Sequence, residues 1–324
     1  MLQYVLKRFV IAIPLLFGAT LVTFLVMHLT PGDPMAELRL NPQISPQTIE
    51  YYERTFHLND SVIIQYSAWL KNLFQGDLGY SFSYQAPVKK LIASRAANTL
   101  LLSLSTIIVT WIFVIPLGVM AVLHRNRFVD RIISFFSYLG ISIPSFFLAI
   151  LILYLAYRTG VFPLGGMRSV HFEELSLMRK IVDILKHLAV PVLVLSCGSI
   201  AALQRIMRAN LLEVLGSSYI VAARARGISR VRILYIHVLK NALNPMITIF
   251  GYQLSALLSG AALTEIILGW PGLGQIMLEA VRKQDIYLVM GSVLISGVFL
   301  IAGNLLADIL LGVVDPRIRY TKTK

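Results

Sequence analysis

Long apolar runs organise this chain, in place of the alternation of a strand or the three-to-four spacing of a soluble helix. Phe9 to Leu29 is apolar except for His28, while Thr99 to Leu123 and Ile132 to Tyr157 carry no charge at all. Each is long enough to cross about 30 Å of hydrocarbon as a helix. Leu188 to Leu203 reaches that length only with its flanks His187 and Gln204, and Pro191 lies near its start. Met246 to Ile267 holds one acid, Glu265, and Val289 to Leu311 holds one, Asp308. The pattern predicts six transmembrane helices in an all-α, polytopic membrane protein.

Lys7 and Arg8 precede the first run as they would in a secretory signal. The run is longer than the roughly 7–15 residues of a signal core, and no small-x-small cleavage site follows, so a retained anchor is expected. Composition agrees with the pattern. Hydrophobic residues make up 57% and charged ones 14%, with a mean hydropathy of +0.74, whereas soluble domains have about 25% charged residues. An ordinary water-soluble globule is excluded. The single Cys197 rules out a disulfide framework, and six histidines without an i, i+4 pair predict no metal site.

The net charge of +13 would suit nucleic acid, but its distribution points to topology. On one side of a six-span arrangement lie Met1 to Arg8, His124 to Arg131, Gln204 to Pro245 and Gly312 to Lys324, with sixteen basic residues and three acids. The opposite loops hold thirteen and eleven. The positive-inside rule then predicts cytoplasmic termini. No aromatic stacking platforms accompany the basic residues, so nucleic acid is not expected as a partner. Lipid is. Two connections are too long for turns: the external Thr30 to Asn98 and the cytoplasmic Gln204 to Pro245.

The cytoplasmic connection contains SSYIVAARARGISRVRILYIHVLKNALNP. Ser218 suits a helix N-cap, Tyr219 to Arg226 supplies about two turns of mostly good helix formers, and Gly227 stands where a left-handed residue ends a helix. Ser229 suits a second cap, for a helix from Arg230 to Leu243 that stops at Pro245. Ala222, Ala223 and Ala225 make the first helix slim enough to enter a groove on another protein, with Arg224 and Arg226 to hold its rim. A plain basic loop is the competing reading.

These residues carry a resemblance. An alanine pair, three residues and a glycine, then a helix up to a proline, resembles the cytoplasmic coupling motif of ABC importer permeases, with Ala222, Ala223 and Gly227 matching and Val221 where the general motif has glutamate. LTPGDP (Leu29 to Pro34), GDLGYSF (Gly76 to Phe82), GAALTEIILGWPGLGQIMLEAVRKQD (Gly260 to Asp285) and DPRIRY (Asp315 to Tyr320) are similar to permeases for dipeptides, oligopeptides and nickel. The resemblance implies a type I ABC importer permease fold. It divides the chain into an anchor helix plus external segment (1–95), a five-helix core (96–315) with coupling segment 204–245, and a cytoplasmic tail (316–324).

It further implies ATPase coupling through Ala222, Ala223, Arg224, Arg226, Gly227 and Pro245. The implied partners are a second similar permease, two cytoplasmic ATPase subunits that bind the ATP and magnesium, and an external substrate-binding protein. No cofactor and no catalysis are expected in this chain, whose place would be the cytoplasmic (inner) membrane. Peptide is the first cargo implied, nickel or another small solute the next. A self-contained secondary transporter is the rival class, though the chain shows no clear internal repeat.

Glycine-rich LGWPGLGQ (Leu268 to Gln275) lacks the lysine and hydroxyl residue of a nucleotide loop. Within the resembling stretch, Glu265, Pro271, Gly272 and Gly274 are candidates for an external gate. Thr99, Ser103, Thr106 and Thr110 share one helix face, as do Gly251, Ser255 and Ser259, while Ser292, Ser296 and Asn304 form a broken row. Such rows serve either close helix packing or the lining of a path. Single cysteines at Ser45 and Ser229, in a Cys197→Ala background, are expected to react with an impermeant maleimide from opposite sides of the membrane. Labelling from one side would overturn the six-span topology.

Overall fold

The computed structural model describes residues 2–33, 35–258 and 262–314. Helix α1 (Leu2–Leu29) is followed by α2 (Ala36–Arg39), α3 (Pro46–Thr55) and α4 (Val62–Phe74). Helix α3 begins where Ser45 Oγ accepts the Thr48 N–H at 3.2 Å and Pro46 fills the first turn, a position whose N–H needs no intrahelical partner. Strands β1 (Tyr80–Ser81) and β2 (Ala86–Pro87) pair antiparallel, Tyr80 opposite Pro87. Next come α5 (Val88–Leu123), α6 (Phe128–Ser142), α7 (Ser145–Thr159), α8 (Leu177–Leu215), α9 (Ser218–Ala225) and α10 (Arg230–Arg232). A π-helical stretch, Ile233–Val238, leads into α11 (Leu239–Leu258), and α12 (Ala262–Ile267), α13 (Leu273–Arg282) and α14 (Ile286–Val314) follow.

Among the described residues, five helices are long and apolar enough to cross a membrane: Val10–Leu29, Val88–Leu123, Leu177–Leu215, Arg230–Leu254 and Ile286–Leu310. The run Ile132 to Tyr157, expected as one span, is broken. Helices α6 and α7 meet at 101°, and the count reaches six when this bent pair is taken as one span. Pro144 is the cause, because a proline disfavours helical backbone in the residue before it, and Ile143 is extended at φ −92°, ψ 118°.

Two boundaries also differ from expectation. The Leu188 to Leu203 span belongs to the 39-residue α8, with Pro191 inside it and charged residues continuing the helix at both ends. Pro245 does not end a helix: it lies inside α11, in a helical run that continues from Arg230 to Leu258. A membrane helix tolerates such a proline where local π adjustments and neighbouring groups satisfy the freed carbonyls, and the π stretch lies just upstream. The expected span Met246 to Ile267 is accordingly α11 plus α12, with residues 259–261 outside the described residues.

The chain forms two compact units. The first comprises Met1–Leu100, Leu258–Ala262 and Pro271–Ile301. Its core joins Phe24 and Met27 of α1, Tyr66 and Trp69 of α4, Val88 and Ile92 of α5, Ile276 of α13 and Leu288 of α14. Rings of Phe56, Tyr80, Phe82 and Tyr287 pack edge-on, tilted or stacked beside it. The second comprises Leu101–Leu257, Leu263–Trp270 and Ala302–Lys324, with Val114 and Val122 of α5, Met207 and Leu211 of α8, Ile220 of α9 and Met246 of α11 in one cluster. A glycine allows the close helix approach at Gly251, where an added Cβ would collide with Ala307.

One ion pair pins α6 to α8. Arg208 Nε and one of its terminal nitrogens each donate to Asp130 at 2.8 Å, and Asp130 also accepts the Asn126 N–H at 3.0 Å. The Asp130 side chain is 6% exposed and that of Arg208 28%. Removing one member of such a pair leaves a buried charge stranded, which costs on the order of 3 kcal/mol. Arg208→Met is therefore expected to lower the thermal unfolding midpoint in detergent. Asp130→Asn combined with it should recover most of the loss, and an unchanged midpoint in the single variant would remove the pair from the stability account.

Candidate coupling site and external turn

Helix α8 ends where the Gly216 N–H donates to the carbonyls of Leu212 and Glu213 at 3.2 and 3.1 Å. The N-cap of α9 is Ser217, extended at φ −69°, ψ 148°, one residue before the expected Ser218. Its hydroxyl donates back to the Val214 carbonyl at 2.6 Å and so belongs to the end of α8. Adjacent serines have equal capping chemistry, so their sequence does not distinguish them. The short helix holds on through Ile220, fully buried in the cluster of Met207 and Leu211.

The opposite face is open. Tyr219, Val221, Ala222, Arg224, Ala225 and Arg226 are exposed, whereas Ala223 is half-buried and packs on the same cluster as Ile228. Helix α9 ends in a Schellman turn: the Ile228 N–H donates to the Ala223 carbonyl at 3.3 Å and the Gly227 N–H to the Arg224 carbonyl at 2.9 Å. Gly227 has φ +76°, and a Cβ built there meets nothing within 4 Å. Glycine is required here for its backbone conformation and not for space. Ser229 caps the next helix as expected, accepting the Arg232 N–H at 3.4 Å.

Two asparagines that the sequence reading passed over complete the site. Asn241 Nδ2 donates to the Tyr219 hydroxyl and to the His237 carbonyl, both at 2.8 Å. Asn210 Nδ2 donates to the Ala242 carbonyl at 3.3 Å. Each ties an element before the turn to the helical run after it. Pro245, grouped with these residues from the sequence, is exposed four residues beyond Asn241 on α11.

The glycine-rich stretch expected on the external side repeats the Schellman device. Gly269 has φ +61°, its N–H donates to Ile266 at 3.2 Å, and the Trp270 N–H donates to the Glu265 carbonyl at 2.8 Å. Trp270 is fully buried and Glu265 is 1% exposed. The Pro271 carbonyl accepts Asn98 Nδ2 at 2.9 Å, Gly272 is the extended N-cap of α13, and Gly274 is buried on that helix. These glycines and this proline therefore build a turn. Ser103, Thr106 and Thr110 are buried in the packing of α5, and Thr106 donates to the Leu102 carbonyl at 2.8 Å. Ser296 is half-buried on α14. Ser255 lies on α11 with its side chain outside the described residues, and Ser259 is also outside them.

Asp285, at the end of the same resembling stretch, was not singled out from sequence. It is fully buried, accepts the Ser81 hydroxyl at 2.5 Å and the Ser83 N–H at 3.1 Å, and caps the start of α14 through the Leu288 N–H at 3.2 Å. Beside it the Tyr84 hydroxyl donates to Glu279, and burial with that carboxylate partner pushes the phenol up to about 12. Burial raises the Asp285 carboxyl above its ordinary value, with the Ser81 and Ser83 hydrogen bonds opposing. The folded pKa thus exceeds the unfolded one, so this group's stabilisation is full below the unfolded pKa and is lost as pH rises through the folded one. Wild type is expected to gain thermal stability over Asp285→Asn as pH falls from neutrality. A pH-independent difference would contradict that sign.

Two family models match successive parts of the chain. A family model described as "Binding-protein-dependent transport system inner membrane component" matches residues 114–320, and one described as "Binding-prot-dependent transport system membrane comp, N-term" matches residues 1–105. The chain is 39% identical over 322 residues to the oligopeptide transport system permease protein AppB of Bacillus subtilis (strain 168), covering 99% of this chain and 100% of that protein. It is 34% identical over 339 residues to the dipeptide transport system permease protein DppB of Escherichia coli (strain K12), with the same coverage. An inward-facing structure of the MetNI methionine ABC transporter superposes with a TM-score of 0.53 at 17% identity, over 69% of this chain and 96% of the other, a likeness of fold.

Proposed function

The chain belongs to the family of binding-protein-dependent transport system inner membrane components, and from that membership we propose that it is a pore-forming subunit of an ATP-driven importer of di- or oligopeptides. Membership makes it a multi-pass inner membrane permease that works with an ATPase and a binding protein. It displaces the self-contained secondary transporter. The peptide cargo is supported by full-length similarity to permeases named for oligopeptide and dipeptide transport. In the proposed assembly a second, similar permease completes the pore, two ATPase subunits bind ATP and magnesium, and both termini of this chain are cytoplasmic.

The observation that carries the coupling role is the form of α9: eight residues, one buried anchor at Ile220, an exposed small-and-basic face, and a stop fixed by Gly227. A helix this short and slim fits a groove, with Arg224 and Arg226 at its rim and their charge favourable at a helix C-terminus. ATP-driven closure of the ATPases would carry α9 with its groove. Ile220 then pulls on Met207 and Leu211 of α8, and Asn241 pulls on the run leading into α11. Two membrane helices are thereby moved by one docked element, as a two-state rigid-body switch requires.

Gly227→Val tests this reading. A β-branched residue held at φ +76° costs about 1–3 kcal/mol, enough to weaken a subunit contact roughly tenfold to a hundredfold. The variant is expected to insert at wild-type abundance and to lose co-purifying ATPase, or to hydrolyse ATP without uptake. Wild-type association together with wild-type peptide uptake would reduce the segment to a topological tether.

A further inference from the structure

We propose that α4, within the segment that the sequence places outside the membrane, is embedded in the bilayer, with Ile63, Ile64 and Phe74 against lipid acyl chains. The argument rests on depth. The Tyr66 hydroxyl on α4 lies 3.0 Å from Thr20 Oγ1 and donates to the Phe17 carbonyl at 3.3 Å. The first span runs from Val10 to Leu29. At 1.5 Å per residue, Thr20 and Phe17 lie roughly 14 and 18 Å along the helix from Leu29, which is about half of a hydrocarbon layer of about 30 Å.

A second span borders the same core. Tyr66 and Trp69 share a core with Phe24 of α1, and Val293, Leu294, Ile295 and Phe299 of α14 pack against that core, all within the span Ile286–Leu310. Gly297 of α14 sits at the level of Leu16 on α1. The Tyr66 side chain therefore reaches the interior of the first span, while Gln65 lines a cavity with His28, Thr30 and Ile286 at the outer ends of both spans.

Helix α4 is built for that position. Its sequence VIIQYSAWLKNLF has one charge, Lys71, whose aliphatic stem can carry the ammonium toward headgroups. The buried face presents Gln65, Tyr66 and Trp69 to the protein. The outer face leaves Ile63 81%, Ile64 48% and Phe74 89% exposed, continuous in character with the exposed Val22 and Val26 of α1. Three large apolar side chains on one short helix are costly in water and favourable in hydrocarbon. In the turn before α4, Gln65 Nε2 donates to the carbonyls of Leu58 and Asp60 at 3.0 and 2.9 Å, which supplies two of the backbone acceptors that lipid would leave unpaired. Thirteen residues cannot cross a bilayer, so the helix enters from the Leu29 side and the chain returns to the same side through β1 and β2.

Spin labels on single cysteines at Ile63, Ile64 and Phe74, with Ser45 of the α3 cap as the aqueous control, test the proposal. The full chain carries Cys197→Ala and is assembled with its partner subunits in phosphatidylcholine–phosphatidylglycerol vesicles. Relaxation enhancement by oxygen is expected to exceed that by a water-soluble nickel chelate at the three α4 sites, with the order reversed at Ser45. Nickel-dominated relaxation at two or more α4 sites would return the helix to water and overturn the proposal. Shielding of two or more from both agents would overturn it equally, by showing the face covered by protein.

Discussion

A peptide group inside hydrocarbon has no water to bond, and its hydrogen-bonding needs must be met within the protein. Among the described residues, that constraint turns the long apolar runs of this chain largely into helix. It also makes the departures from regular helix informative, because each must be stabilised by an identifiable group. At Ile143–Pro144 the helix breaks outright and restarts at 101°. At Ile233–Val238 it widens into a π stretch upstream of Pro245. At the proposed membrane entry of α4, Gln65 donates to the Leu58 and Asp60 carbonyls. The regular parts cross the membrane, and the irregular parts set the directions in which the crossing helices leave it.

The proposed coupling site uses the same economy outside the spans. Helix α9 is too short to be stable alone, since isolated helices below about 12 residues are marginal in water. What holds it is tertiary: Ile220 in the Met207–Leu211 cluster, the Tyr219–Asn241 hydrogen bond, and a Schellman turn that closes the last carbonyls. All three holds lie on the side facing the protein or at its ends. Apart from Tyr219, the outward face is left without internal obligations, which suits the proposed docking of a partner whose displacement would pass to α8 and α11.

Hydropathy made most of this fold legible, because a run of twenty apolar residues has few alternatives to a span. The glycine stop at Gly227 and the Ser229 cap were legible for a related reason: both are local chemistry, complete within a few residues. The breaks were less so. Ile132 to Tyr157 has span composition throughout, and the weight given to hydropathy concealed the conformational demand of Pro144. Pro245 erred in the other direction, since rules for soluble helices predict a stop that a membrane helix need not make. Asp130 with Arg208, Asp285 with Ser81, and Tyr66 with Thr20 pair residues 78, 204 and 46 positions apart. No local pattern encodes such pairs. The hydroxyl row on α5 shows the limit from the other side, because its periodicity was visible and its burial was not.

The two Schellman turns separate two reasons for a glycine. At Gly269 the added Cβ would approach the Gly166 nitrogen at 3.2 Å, and the neighbouring Leu268 carbonyl already accepts the Gly166 N–H at 3.0 Å, so conformation and crowding both act. At Gly227 only conformation acts, because the surroundings are open. A turn in open space that nevertheless holds a left-handed residue derives no packing benefit from it within this chain. Its benefit is directional: it ends α9 after eight residues and sends the backbone into Ser229 and the run to α11. The geometry of the proposed docking face therefore depends on one backbone dihedral, whereas that of the Trp270 turn is fixed by everything packed around it.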